Sequence, residues 1–146
     1  MTDKISEMYA QATKFSDEQN FEDALKIYEE LFSVFKSVLR ENDPLTIGAM
    51  YNVSLTLNRM HRHDEAIPLA KRALKLYEKT FGEEHEYTLN AMDNLAVAFY
   101  LTEQYKKALP IYKRVVKLRK KIFGDEHWST LNDMNNLSDT IKHLKK

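Results

Sequence analysis

The stretch FGEEHEYTLNAM (81–92) returns as FGDEHWSTLNDM (123–134), displaced by 42 residues. The same displacement relates Met50, Met92 and Met134. It also relates Asn52, Asn94 and Asn136, Ala24, Ala66 and Ala108, and Thr46, Thr88 and Thr130. Block 51–92 laid on block 93–134 without a gap agrees at 16 positions, among them Pro68/Pro110, Lys71/Lys113, Lys75/Lys117 and Gly82/Gly124. A fixed period of this size marks a stacked-repeat architecture, in which each unit buries its apolar face against its neighbours.

Within a period the apolar residues follow helical spacing. Leu89, Met92, Leu95, Ala96 and Phe99 recur at intervals of three and four and define one helix face. Gln104 and Tyr105 mark a short turn. Ala108, Leu109, Tyr112, Val115, Val116 and Ile122 then define a second face. Gly82 and Gly124 stand where a residue of positive φ closes a helix. Asp43-Pro44 reads as an N-cap followed by Pro at the first helical position. The pattern predicts helices over 3–18, 21–40, 44–60, 64–80, 86–102, 106–122 and 128–144.

Composition agrees with an all-α chain. Gly and Pro number three each, there is no Cys, and the formal charge is zero. So few breakers favour helix over sheet. Without Cys, disulfides and thiolate metal sites are excluded. No stretch approaches the roughly 18 apolar residues of a membrane span, and MTDKISEMYAQATKF lacks a signal-peptide core. The expectation is one soluble domain over 1–146, cytoplasmic. Zero net charge argues against a general attraction to nucleic acid.

The unit resembles a tetratricopeptide repeat. In the third unit Asn94, Leu95, Ala96, Phe99, Tyr105, Ala108, Tyr112 and Val115 fall on that family's small-and-large pattern. The second unit offers Asn52, Val53, Ser54, Leu57, Ala66, Ala70 and Ala73. The first offers Ala12, Phe15, Phe21, Ala24, Tyr28 and Leu31. The 42-residue period and the F-G-x-E-H-x-x-T-L-x-x-M-x-N-L run are similar to the kinesin light chain variety. The resemblance implies a right-handed α-solenoid of three helix-turn-helix repeats, over about 5–43, 44–85 and 86–127. A C-terminal capping helix over 128–146 then completes a small array, with Leu137, Ile141 and Leu144 turned inward and Asp139, Lys142, Lys145 and Lys146 facing water.

In this family the first helices of the hairpins line a concave groove. Carried onto this sequence, the groove positions are Tyr51, Asn52, Leu55, Asn58 and Arg59, then Asn90, Asp93, Asn94, Val97, Tyr100 and Leu101, then Asn132, Asn135 and Asn136. Amides both donate and accept hydrogen bonds, so a ladder of them suits the backbone of an extended peptide. Tyr51, Leu55, Val97, Tyr100 and Leu101 supply apolar pockets between them. The shared register of Asn52, Asn94 and Asn136 equally suits hydrogen bonding between repeats. The family's carboxylate clamp for chaperone tails wants several cations at these positions, and here Arg59 is the one strong cation.

Other constellations are weaker. Glu83-Glu84-His85 and Asp125-Glu126-His127 have metal-ligand residue types. They recur at the turn between hairpins, however, in register with Asp43, which predicts helix capping. His61 and His63 are too few for a closed zinc site. No nucleophile stands beside a base, and no Gly-rich phosphate loop exists. Neither an enzyme nor a cofactor nor a metal is expected. From Gln104 to Lys121 there are eight bases and no acid, with Lys106, Lys113, Arg114, Lys117, Lys120 and Lys121 as the candidate patch; residues 1–45 carry ten acids against five bases. The expected function is a protein-interaction scaffold or adaptor, monomeric or weakly self-associating, that binds a peptide or protein segment in the groove. The alternative is an anionic partner, RNA or a phospholipid surface, held by the basic helix 106–121.

Overall fold

A computed structural model describes residues 2–146. Its described residues form seven helices in the order α1 (Thr2–Asp17), α2 (Phe21–Val38), α3 (Pro44–Arg59), α4 (His63–Phe81), α5 (Glu86–Leu101), α6 (Tyr105–Phe123) and α7 (Trp128–Leu144). Each boundary falls within two residues of the one the periodicity predicts, and the chain is all-α. Contacts gather it into two compact units, one ending at Leu76 and one spanning Tyr77–Lys146.

The turns inside the hairpins share one geometry. Gln19, His61 and Glu103, each 42 residues from the next, all take φ of 60°. Around Glu103 the backbone N–H of Gln104 donates to the Phe99 carbonyl at 2.7 Å and that of Glu103 to Tyr100 at 3.0 Å. This paired pattern satisfies carbonyls that the ending helix leaves free. The turns between hairpins are closed by caps. The Asp43 carboxylate accepts from the Leu45 N–H at 3.0 Å. His85 Nδ1 accepts from Tyr87 N–H at 3.0 Å and His127 Nδ1 from Ser129 N–H at 3.2 Å. Each histidine also stacks on the phenylalanine four residues before it, Phe81 at 4.5 Å and Phe123 at 4.6 Å between ring centres. Gly82 and Gly124 take φ of 86° and 88°, which only glycine adopts freely. The repeated F-G-x-E-H run is therefore a turn device, as its register implies.

In the first unit the core gathers Ala12, Ala24, Leu25, Leu31 and Phe35 from the first hairpin with Ala49, Val53, Leu57 and Ala66 from α3 and α4. In the second unit Leu89, Met92, Leu95 and Phe99 of α5 are buried, as are Ala108, Tyr112 and Val115 of α6. Ala24, Ala66, Ala96 and Ala108 have no exposed surface. A larger side chain at any of them would have to displace a neighbouring helix. On α7, Leu137 and Ile141 are half-buried, and Leu144 is exposed.

Candidate functional site

The groove positions divide by burial. On α5, Leu101 is 50% exposed, and Val97 and Tyr100 on the same face are half-buried. On α7, Asn132 and Asn135 are exposed and Asn136 is half-buried. On α3, Tyr51, Asn52 and Leu55 are half-buried, and Arg59 is exposed, its guanidinium 6.0 Å from the Phe21 ring centre.

Two of the amides at groove positions are not surface groups. Asn94 is only 5% exposed and Asn58 only 7%. The Asn58 side-chain oxygen lies 2.8 Å from His63 Nδ1, so it fastens the start of α4. Burial, followed by the neighbouring charge of His61, holds the His63 ring below its ordinary pKa. Asn94, similarly buried, is compatible with the hydrogen bonding between repeats that the shared register of Asn52, Asn94 and Asn136 also allows. Tyr100 is partly engaged as well. Its hydroxyl lies 3.2 Å from His143 Nε2, and the His143 ring stacks on Tyr105 at 4.5 Å, nearly parallel. The three rings tie the end of α7 to α5 and α6.

The most unusual group in the second unit is ionic and inside. Arg119 is 6% exposed and Asp133 1%. The Arg119 guanidinium donates to Asp93 Oδ2 at 2.9 Å and to the side-chain oxygen of Asn90 at 3.2 Å. Its Nε lies 2.8 Å from Asp133 Oδ2, yet neither atom of that pair makes an aligned hydrogen bond. The contact is thus one of charge. Burial, then a hydrogen bond and repulsion from Asp133, raise the Asp93 carboxyl to about 8, although Arg119 opposes the rise. Two carboxylates around one guanidinium leave one negative charge in excess, which favours the protonated form of Asp93.

The basic helix is less free than its sequence suggests. Arg114 bonds Glu78 at 3.0 Å and Glu83 at 2.9 Å, Lys121 pairs with Glu84 at 2.6 Å, and Arg119 points inward. Lys106, Lys113, Lys117 and Lys120 remain exposed. No group of three His, Cys, Asp or Glu among the described residues is placed to hold a metal ion.

The family model for the tetratricopeptide repeat matches residues 7–79 and 45–121. The chain belongs to the tetratricopeptide-repeat family. Two solved structures superpose with TM-scores of 0.89: a putative kinesin light chain from Podosopora anserina with nearly identical tetratricopeptide-like repeats, and a form of it with one glutamine replaced by methionine. Each is 19% identical over 97% of this chain and 67% of its own. BtubC (BKLC) from P. vanneervenii superposes with a TM-score of 0.77 at 23% identity, over 93% of this chain and 54% of its own. At these identities the likeness is one of fold, and it is to kinesin light chain-like repeats. No curated protein matches the sequence. Tetratricopeptide repeats mediate protein–protein interaction, and none of this chain's described helices is long and apolar enough to cross a membrane.

Proposed function

We propose that this tetratricopeptide-repeat chain is a protein-binding adaptor, a scaffold and not an enzyme, that holds a segment of its partner on the faces of its first helices. In the second unit Val97, Tyr100 and Leu101 of α5 make the apolar contact, and Asn132 and Asn136 of α7 hydrogen-bond the partner's backbone. In the first unit Tyr51, Asn52, Leu55 and Arg59 of α3 offer the same chemistry. The supporting observation is the exposure of Leu101 beside half-buried Val97 and Tyr100, at spacings of three and four on one face. Apolar side chains clustered at the surface favour a protein contact.

The experiment is calorimetry against a partner recovered with the wild-type chain. Val97→Ser with Leu101→Ser should weaken binding at least roughly tenfold, about 1.4 kcal/mol, with the helical circular dichroism unchanged. Undiminished affinity in the folded double variant would remove α5 from the interface.

A further inference from the structure

The first unit holds a cavity of about 490 Å³ between α2, α3 and α4. Its apolar wall is Phe32 of α2, Met50 of α3 and Leu69 of α4. Phe32 and Leu69 are half-buried and Met50 is buried, so the wall runs from the surface to the core. The rim is ionic, with Lys36, Arg72 and Glu41, all exposed. Thr46, which has no exposed surface, closes the inner end. A volume of this size, mostly apolar with a few polar groups, has the make-up of a small-molecule site.

The repeat register shows that the rim lacks a carboxylate. In the second unit Arg114 donates to two acids, Glu78 at 3.0 Å and Glu83 at 2.9 Å. Arg72 and Glu41 stand at the register of Arg114 and Glu83. Arg72 donates to Glu41 through Nε at 2.6 Å and Nη2 at 2.8 Å. At the register of Glu78, however, stands Lys36. A second cation thus replaces the second acid, and the rim carries one positive charge in excess. The Arg72 hydrogen bond lowers the Glu41 pKa against the effect of desolvation, and the charge of Lys36 adds to the lowering. Lys36 therefore acts on the same rim.

The inner end is polar and unsatisfied. Thr88, one repeat later, donates its hydroxyl to the Gly82 carbonyl at 2.7 Å. The Thr46 hydroxyl is buried and has no partner, where a buried hydroxyl normally finds one. Thr130 shares that lack, and Thr46 has a cavity beside it that a partner can enter.

We infer that this cavity binds a small organic acid with an apolar body and a hydroxyl at the end away from its carboxylate. The carboxylate sits between Lys36 and Arg72, at the place that Glu78 takes one repeat later. The body lies on Phe32, Met50 and Leu69, and the distal hydroxyl meets Thr46. None of the contact residues proposed on α3 and α5 lines the cavity, so either reading can fail without the other.

The probes are para-hydroxyphenylpropanoate, its primary amide and phenylpropanoate. Each is titrated at low ionic strength into the isotope-labelled full chain and followed by heteronuclear NMR. The hydroxylated acid should shift the backbone signals of Thr46 and Met50. It should bind at least roughly fivefold more tightly than its amide, a difference of about 1 kcal/mol, and more tightly than phenylpropanoate. Lys36→Glu gives this repeat the acid of the next, so the chain should stay folded by circular dichroism and lose the preference for acid over amide. Thr46→Val keeps the shape and should remove the preference for the hydroxylated acid. No binding of any probe, equal binding of acid and amide, or preferences that survive these substitutions would overturn the proposal. So would shifts confined to the lysines of α6, since the acid would then be following the basic run.

Discussion

Glu103 sits at φ 60° with an ordinary side chain, where Cβ crowds the following carbonyl at a cost of roughly 1 kcal/mol. Glycine removes that crowding but gives the unfolded chain more freedom to lose. The net expectation for Glu103→Gly is a gain of up to about 0.5 kcal/mol, and for Glu103→Val a loss above about 1 kcal/mol, both read from urea midpoints. Asp93 makes a prediction of different sign. Its carboxyl is raised from 3.8 to about 8, so between these values the folded chain holds a proton that the unfolded chain has released. Stability therefore falls as pH rises through that window. Asp93→Asn is neutral at every pH and should flatten the slope while matching the parent near the acid end. Urea melts of both proteins across the window check it; a parallel pair of curves would mean that Asp93 titrates normally. The half-buried setting of Asp93 could not be read from its own sequence neighbourhood. It depends on Arg119 and Asp133, which lie 26 and 40 residues away.

At the scale of the helices, the periodicity is enough to place every element, because turn chemistry and apolar spacing agree in each repeat. The buried charges are legible only in one way. Arg119 stands at the register of Phe35 and Tyr77, and Asp133 at that of Ala49 and Ala91, all four buried apolar residues. Asp93 replaces Tyr51. A break in an otherwise apolar register is the signal for such a cluster, but a count of charges along α6 hides it by grouping Arg119 with the surface lysines. Asn94 shows the converse, since its register is shared by helices whose amides are buried to different extents. Removing Arg119 alone, as Arg119→Met, leaves Asp133 uncompensated in a dry site and should cost about 3–5 kcal/mol. Restoring the register with Arg119→Tyr, Asp133→Ala and Asp93→Tyr together should instead be neutral or stabilising by about 1–4 kcal/mol. Chemical denaturation of the two variants separates a cluster kept for specificity from one that holds the helices together. Ala96→Leu on α5 or Ala108→Leu on α6 overpacks a site with no free surface and should cost about 1–3 kcal/mol; a variant that melts like the parent would show room at these positions.

For the molecule as a whole the charges balance, 22 bases against 22 acids, yet they are not evenly laid along the chain. The basic run of α6 invites an electrostatic function, and the ion pairs of α6 argue against it. Arg114 and Lys121 already satisfy glutamates of the same unit, and Arg119 is buried. What remains on the outer face is a set of solvated lysines, a usual way for a helix to stay soluble. Lys106, Lys113 and Lys117 changed together to Gln shift the formal charge from 0 to −3. Exposed positions of this kind alter stability by no more than about 0.5 kcal/mol each. A partner held by apolar and amide contacts should keep its affinity within roughly twofold, with a shallow dependence on salt. A polyanionic partner would behave otherwise. Each lysine withdrawn from a phosphate would lower affinity and flatten the salt slope by about one. Binding isotherms of parent and triple variant at two ionic strengths therefore decide where the partner sits. Coincident curves leave the first-helix face as the proposed binding surface, whereas a loss that parallels added salt would move the function to the basic face of α6 and make an anion the partner.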